Sequence, residues 1–319
     1  MKYIRLNGTC EKISAVALGT DVYGTDLDSK TALSLLDEYS YLGGNVIDTA
    51  SVYGGEDEQI SEKLIGSWIK EKNNRSKLFI STKGGHPRTS TMHISRLSKD
   101  EINKDIETSL KNLKTDYVDI YWLHRDDESL PAEPILDTLA ELVKSGKTRY
   151  IGLSNWSHKR IDEINRYAKN HNLPLIISSQ IQFSLAKLVS KDYDPTLVIM
   201  DDLEYDYFKN HNMSVFAYAS QAKGFFSKIA SGGVGNLSKK AHDRYYSEYN
   251  MKVFERIKKV SEKRVISIGE TVIAGLVNNP HFQTIPIVGC KNISQLRESL
   301  RGADTSLSFE EYEFITNRH

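Results

Sequence analysis

Tyr117-Val118-Asp119-Ile120-Tyr121-Trp122-Leu123-His124 is apolar almost throughout and closes on a histidine. It has the length of a strand, and its near-continuous apolarity is what a strand covered on both faces requires. Such strands belong to parallel sheets, whose crossovers lay helices over them. Working outward, similar runs recur at 16–19, 45–49, 78–83, 148–154, 175–180, 214–218 and 284–288. Amphipathic stretches lie between them. Ala32, Leu35, Leu36 and Tyr39 repeat at helical spacing, as do Leu136, Leu139, Ala140 and Val143. Strand and helix alternating through eight units predict a closed α/β barrel, a (β/α)8 TIM barrel. A doubly wound open sheet is the second choice, because periodicity does not prove closure.

Ahead of the first unit, residues 3–13 carry Asn7-Gly8, a hairpin turn signal. This predicts an N-terminal β-hairpin placed to plug the barrel floor. The longest irregular stretch, 224–243, holds Gly232-Gly233-Val234-Gly235 and reads as a mobile flap after the seventh strand. No linker divides the chain, so one domain is expected over 1–319.

Composition narrows the function. The 319 residues carry 42 Lys+Arg against 42 Asp+Glu, which gives no basic excess for nucleic acid or an anionic membrane. No apolar run approaches a membrane span, and the N-terminus lacks the apolar core of a signal peptide, so a cytoplasmic location is expected. Cys10 and Cys290 are the only cysteines, and neither a disulfide framework nor a metal site is expected.

In a barrel the polar residues at the C-terminal strand ends carry the chemistry. The second strand ends at Asp48, with Tyr53 just beyond; the third ends at Lys83; the fourth ends at His124. Alternation places His124 on the face of Trp122 and Ile120, and Lys83 with Ser81. A carbonyl under reduction needs a proton for its developing alkoxide. Tyr53 can supply one, and a neighbouring Lys83 ammonium, itself paired to Asp48, would make the phenol more acidic. Neutral His124 can donate to the carbonyl oxygen.

The ordered series Asp48-Thr49-Ala50 with Tyr53-Gly54, Ser81-Thr82-Lys83, Asp119-Ile120-Tyr121-Trp122-Leu123-His124 and Gly152-Leu153-Ser154-Asn155-Trp156 resembles the aldo-keto reductases. The resemblance runs from about Val16 to Arg301. It implies a catalytic tetrad of Asp48, Tyr53, Lys83 and His124, and an NADP(H)-dependent oxidoreductase acting on a small carbonyl or alcohol. It further implies that Gly19, Thr20 and Asp48 line the cofactor, that Ser154, Asn155 and Gln180 hold the nicotinamide amide, and that Tyr218 stacks on its ring. Ser220, Gln221 and Gly224 would follow the pyrophosphate. Gly289, Lys291, Gln295 and Glu298 would meet the adenosine phosphate end, with Lys291 on a 2′-phosphate. Two positions depart from the family pattern: Ser299 stands where Asn is usual, and Ala219-Ser220-Gln221 replaces Ser-Pro-Leu.

Asp21, Tyr23, Arg125, Asp126 and Trp156 are the candidate substrate contacts, and their polarity suggests a hydroxylated carbonyl. A second reading shares the fold: a nucleotide-binding regulatory subunit, like the channel subunits that resemble this family. Nothing in the sequence sets the oligomeric state.

Overall fold

The computed structural model describes residues 1–190 and 193–317. Its centre is a closed barrel of eight parallel strands: β3 (Ala17–Gly19), β4 (Val46–Asp48), β5 (Phe79–Gly84), β6 (Val118–Leu123), β7 (Thr148–Ser154), β8 (Ile176–Gln182), β9 (Ser214–Tyr218) and β10 (Thr284–Val288). β10 closes the ring by pairing with both β3 and β9. The strands begin and end within two residues of the runs visible in the sequence, and three coincide with them. Closure leaves the barrel without an edge strand.

The hairpin expected at the N-terminus is present. β1 (Tyr3–Arg5) pairs antiparallel with β2 (Lys12–Ser14), joined through Gly8 at φ +73°. Its fully buried Leu6 and Ile13 pack against Ala17, Val46, Phe79, Ile120, Phe216 and Ile285 from the barrel interior. These apolar layers seal the floor and leave the polar layers above them facing the mouth.

Helices pack outside by the faces that their periodicity defines. Helix Ser29–Tyr41 starts on the Asp28 cap and buries Ala32, Leu35, Leu36 and Tyr39. In helix Ala132–Lys144 the buried face is Ile135, Leu136, Leu139 and Leu142, rotated slightly from the expected one, so Ala140 and Val143 lie at its border.

The stretch 224–243 is not the irregular loop that its glycines suggest. Helix Phe225–Gly232 buries Phe225, Phe226 and Ile229, and helix Lys239–Tyr245 follows on a Ser238 cap. Phe-Phe-x-x-Ile is a helical apolar face, and it outweighs the glycines because it docks on the core beside Phe254 and Tyr245. Only a short connection around Gly233 (φ +70°) stays open. Among the described residues, no helix is long and apolar enough to cross a membrane.

Gly152 of β7 shows how tightly the interior is set. A Cβ there would stand 2.4 Å from the Trp122 indole of β6. Gly152→Ala therefore forces that ring to move, at about 1–3 kcal/mol. A lower urea midpoint and an altered near-ultraviolet tryptophan signal are expected; both unchanged would show that the ring has room.

Candidate active site

The barrel brings Asp48, Lys83, Tyr53 and His124 together at its C-terminal mouth. β4 and β5 are registered so that Asp48 lies beside Ser81, and alternation sends Lys83 inward one pair further on. Lys83 Nζ donates to Asp48 Oδ2 at 2.7 Å, to the Thr49 carbonyl at 2.8 Å and to Tyr53 Oη at 3.2 Å. An ammonium has three N–H groups, and each has an acceptor. Asp48 is equally satisfied: Ser81 Oγ and Gln180 Nε2 donate to its other oxygen at 2.7 and 2.9 Å. Trp122 Nε1 in turn donates to Ser81 Oγ at 2.6 Å. Ser81 and Trp122 lie in quoted motifs, but only the closed barrel reveals that they orient Asp48.

The Tyr53 and His124 rings meet edge to face with centroids 5.9 Å apart. Burial, followed by the Asp48 carboxylate, holds the Tyr53 phenol well above its ordinary value, with Arg125 opposing. This corrects the expectation that Lys83 makes the phenol more acidic. The ammonium is already committed to Asp48, and desolvation of the phenolate outweighs what remains. Burial likewise draws Lys83 below the ordinary lysine value, against Asp48. His124 is pushed well below the ordinary histidine value by burial first, then by Arg125, His86 and Lys83. Its buried Nδ1 has no partner among the described residues.

Two features of this mouth could not be read from the sequence. His86, in the loop after β5, sets its ring 4.7 Å from that of His124. The loop is fixed by Asp105, which accepts from Gly85 N at 2.8 Å and from Arg96 at 2.6 Å, while Arg96 also binds the His86 carbonyl at 3.1 Å. In the turn after β9, Ala219, Ala222 and Lys223 all have positive φ, a costly conformation for residues with side chains.

The Aldo/keto reductase family profile matches residues 15–317. The chain belongs to this family. Relatives in Bacillus subtilis include the uncharacterized oxidoreductases YrpG (28% identical, over 97% of this chain and 93% of the relative) and YqkF (30%, over 94% and 90%). The Escherichia coli protein tas is 25% identical over 97% of this chain and 94% of its own. A crystal structure of a thermostable aldo-keto reductase with the inhibitor epalrestat superposes with a TM-score of 0.73 at 25% identity, covering 99% of both chains. The chain is thus an oxidoreductase of a family that works with a nicotinamide cofactor on small carbonyls.

The expected cofactor residues divide into free and committed groups. Ser154, Gln180 and Tyr218 stand at adjoining strand ends. Gln180 spends its amide N–H on Asp48, and no described protein group donates to its carbonyl oxygen. Asn155 is fully engaged: it donates to the His124 carbonyl and Ser154 Oγ, and it accepts from Tyr218 Oη at 2.6 Å and Val198 N. Thr20 Oγ1 donates to the Asp48 carbonyl, and Ser220 Oγ to the Ile287 carbonyl. Gly19 lacks a side chain because a Cβ would stand 2.8 Å from Ile287. Gln221 reaches Ser299, Gln295 accepts from Lys291 N, and Glu298 accepts from Ser267. Gly224 has φ +74°. Gly289 faces open space, where an added Cβ would meet only Asp21 Oδ1, at 3.8 Å.

Of the candidate substrate contacts, Asp21 and Arg125 lie at the mouth. Burial raises the Asp21 carboxyl, against Lys83. Tyr23 is wholly buried among core side chains. Trp156 is also wholly buried and donates to the Arg125 carbonyl. Asp126 is taken by Arg160 at 3.1 Å.

The depressed His124 has a direct consequence. A group whose folded value lies below its unfolded one stays neutral as pH falls through 6.5, so the ring remains a neutral hydrogen-bond donor or acceptor there. The His124 Cε1 proton resonance should hold constant from pH 7.5 down to 5.5. A titration step near the ordinary histidine value would contradict the burial assigned to it.

Proposed function

We propose that the chain reduces a small carbonyl with NADP(H), with Tyr53 as the proton donor. The observation that carries this reading is the Tyr53–Lys83–Asp48 chain at the barrel mouth, in which each N–H of a buried ammonium is aimed at an acceptor. The cofactor supplies a hydride to the carbonyl carbon when bound. Tyr53 Oη gives its proton to the carbonyl oxygen. A raised phenol value suits this step, since the developing alkoxide is a far stronger base than a phenolate. The tyrosinate left behind accepts a hydrogen bond from the Lys83 ammonium, and Asp48 keeps that ammonium in place. His124, neutral, would orient the carbonyl oxygen.

The residues present fit a dinucleotide. Lys223, at the surface after β9, is lowered from its ordinary value by partial loss of water and then by Lys240 and Arg244, with Lys228 adding to them. Such crowding of like charge is relieved by an anion such as a pyrophosphate. Across the mouth, the open Gly289 precedes Lys291, which forms no ion pair among the described residues, and helix Ile293–Asp304, capped by Asn292. A helix N-terminus with a free lysine suits a further phosphate, which favours NADP(H) over NAD(H). Ser154 and the Gln180 carbonyl would hold a carboxamide, and the half-buried Tyr218 ring would offer it a flat face.

Tyr53→Phe keeps the ring and removes the proton. With NADPH and the best carbonyl from a panel of aldehydes and ketones, kcat should drop on the order of 10²–10⁴-fold while NADPH still binds. Near-normal turnover would remove Tyr53 from the chemistry. Failure of the unaltered chain to oxidise NADPH or NADH with any carbonyl would favour the regulatory reading.

Lys291→Ala should weaken NADPH binding about tenfold or more while sparing NADH, since a charge-assisted hydrogen bond is worth about 1.5–3 kcal/mol. Equal loss for both cofactors, measured by fluorescence titration, would exclude phosphate recognition by Lys291.

A further inference from the structure

Arg125 leaves β6 directly after His124, and its side chain is only 12% exposed. Its Nε donates to Thr196 Oγ1 at 3.0 Å, and Nη1 donates to the His124 carbonyl at 2.9 Å. A guanidinium carries five N–H groups, and the others have no hydrogen-bond acceptor among the described residues. Among the described residues its charge is balanced by one long ion pair, to Asp194. The neighbouring acid, Asp126, is turned away to Arg160, at 3.1 and 3.4 Å. The remaining acid, Asp194, stands 3.7 Å from Nη2, beyond hydrogen-bond reach, and its other oxygen already accepts from Thr196 N and Oγ1. A cation only 12% exposed, held by one long ion pair and with open donors, favours an added acceptor.

The place of this cation matters. Its backbone carbonyl is pinned by Trp156 Nε1 at 3.1 Å, and its guanidinium is pinned to the carbonyl of His124, so it cannot drift from the mouth. His86 stands beside the same histidine. Its Nδ1 lies 2.6 Å from the Pro87 carbonyl, which can only accept, so Nδ1 carries the hydrogen. In the neutral ring Nε2 is then a lone pair and adds no second positive charge. Among the described residues, Arg125 is therefore the cation beside His124 whose donors are unfilled, Lys83 being saturated.

We infer that the mouth receives the carboxylate of an anionic carbonyl substrate on the unfilled N–H groups of Arg125. The inference rests on the reductase reading above and sharpens its substrate class, away from the neutral hydroxylated carbonyl that the polarity of the mouth first suggests. Arginine is suited to the task because its planar fork matches a carboxylate, and the surrounding burial strengthens the pair. Binding a remote anion would also fix the carbonyl against Tyr53 and His124, which converts binding into orientation.

The test compares each acid with its own methyl ester, so that shape is held while charge is removed. The pairs are succinic semialdehyde against its methyl ester, and 4-carboxybenzaldehyde against methyl 4-formylbenzoate, each with NADPH. The unaltered enzyme should prefer the acid by about tenfold or more in kcat/KM in at least one pair. In Arg125→Gln the preference should collapse toward one. Arg125→Lys, which keeps the charge and loses the fork, should retain part of it. A ratio near one in the unaltered enzyme overturns the proposal without any variant, and so does a preference that survives Arg125→Gln. Turnover of the esters with no acid preference refutes the carboxylate site and leaves the reductase reading standing. No turnover of any carbonyl refutes both.

Discussion

A lysine ammonium and an aspartate carboxylate, 0% and 3% exposed, share one hydrogen bond inside the barrel mouth. Taking both charges out of water costs several kcal/mol per ion, and attraction alone does not repay it unless every remaining donor and acceptor is filled. Here they are filled by residues from across the chain. Ser81 is the strand neighbour of Asp48, Gln180 reaches over from β8, and Thr49 and Tyr53 complete the ammonium shell. Only closure of the barrel places β8 opposite β4. Deleting either partner would leave a bare buried charge, at about 3–5 kcal/mol. The pair therefore depends on the fold as much as the chemistry depends on the pair.

The support continues below the charges. Trp122 both donates to Ser81 and packs edge-on against Phe216, at 5.2 Å between centroids. It can do so because Gly152 gives it space. The hairpin residues Leu6 and Ile13 close the apolar floor beneath. Hydrophobic packing thus fixes an indole, the indole fixes a hydroxyl, and the hydroxyl fixes the carboxylate that holds the lysine. A preorganised site of this kind pays its reorganisation cost at folding, before any substrate arrives.

Much of this was legible in the sequence, because strands carry period-two and length signals that locate their polar C-terminal ends. All eight barrel strands, the hairpin and the positions of Asp48, Lys83 and His124 follow from such patterns. What failed depended on tertiary contact. Glycines hid the helix Phe225–Gly232, whose apolar face is stable only against the core. Tyr23 and Trp156 read as candidate substrate contacts, yet both are buried in packed interior. Asp126 looked available until Arg160, on the helix His158–His171 after β7, claimed it. His86, Thr196, Asp194 and Lys223 sit in loops without periodicity, and their meeting with β6 or β9 is set by chain trajectory.

On this reading Lys83 and Arg125 divide chemistry from selection. Lys83 is saturated by protein acceptors, so its energy is spent on holding Tyr53 and nothing remains to attract a ligand. Arg125 is anchored through two of its nitrogens and leaves the rest of its fork open, so donors remain unfilled while its position is fixed. A saturated ion contributes the same to any bound carbonyl and cannot discriminate among them. An unsaturated one discriminates by the free energy of pairing. The partners that saturate Lys83 come from strand ends, where register is rigid. Those that border Arg125, Asp194 and Thr196, come from the segment after β8, where substitution costs the barrel little. Substrate preference can therefore change by altering that loop while the Asp48–Lys83–Tyr53 geometry stays in place, which is the physical reason a single reductive chemistry can serve many carbonyls on one scaffold.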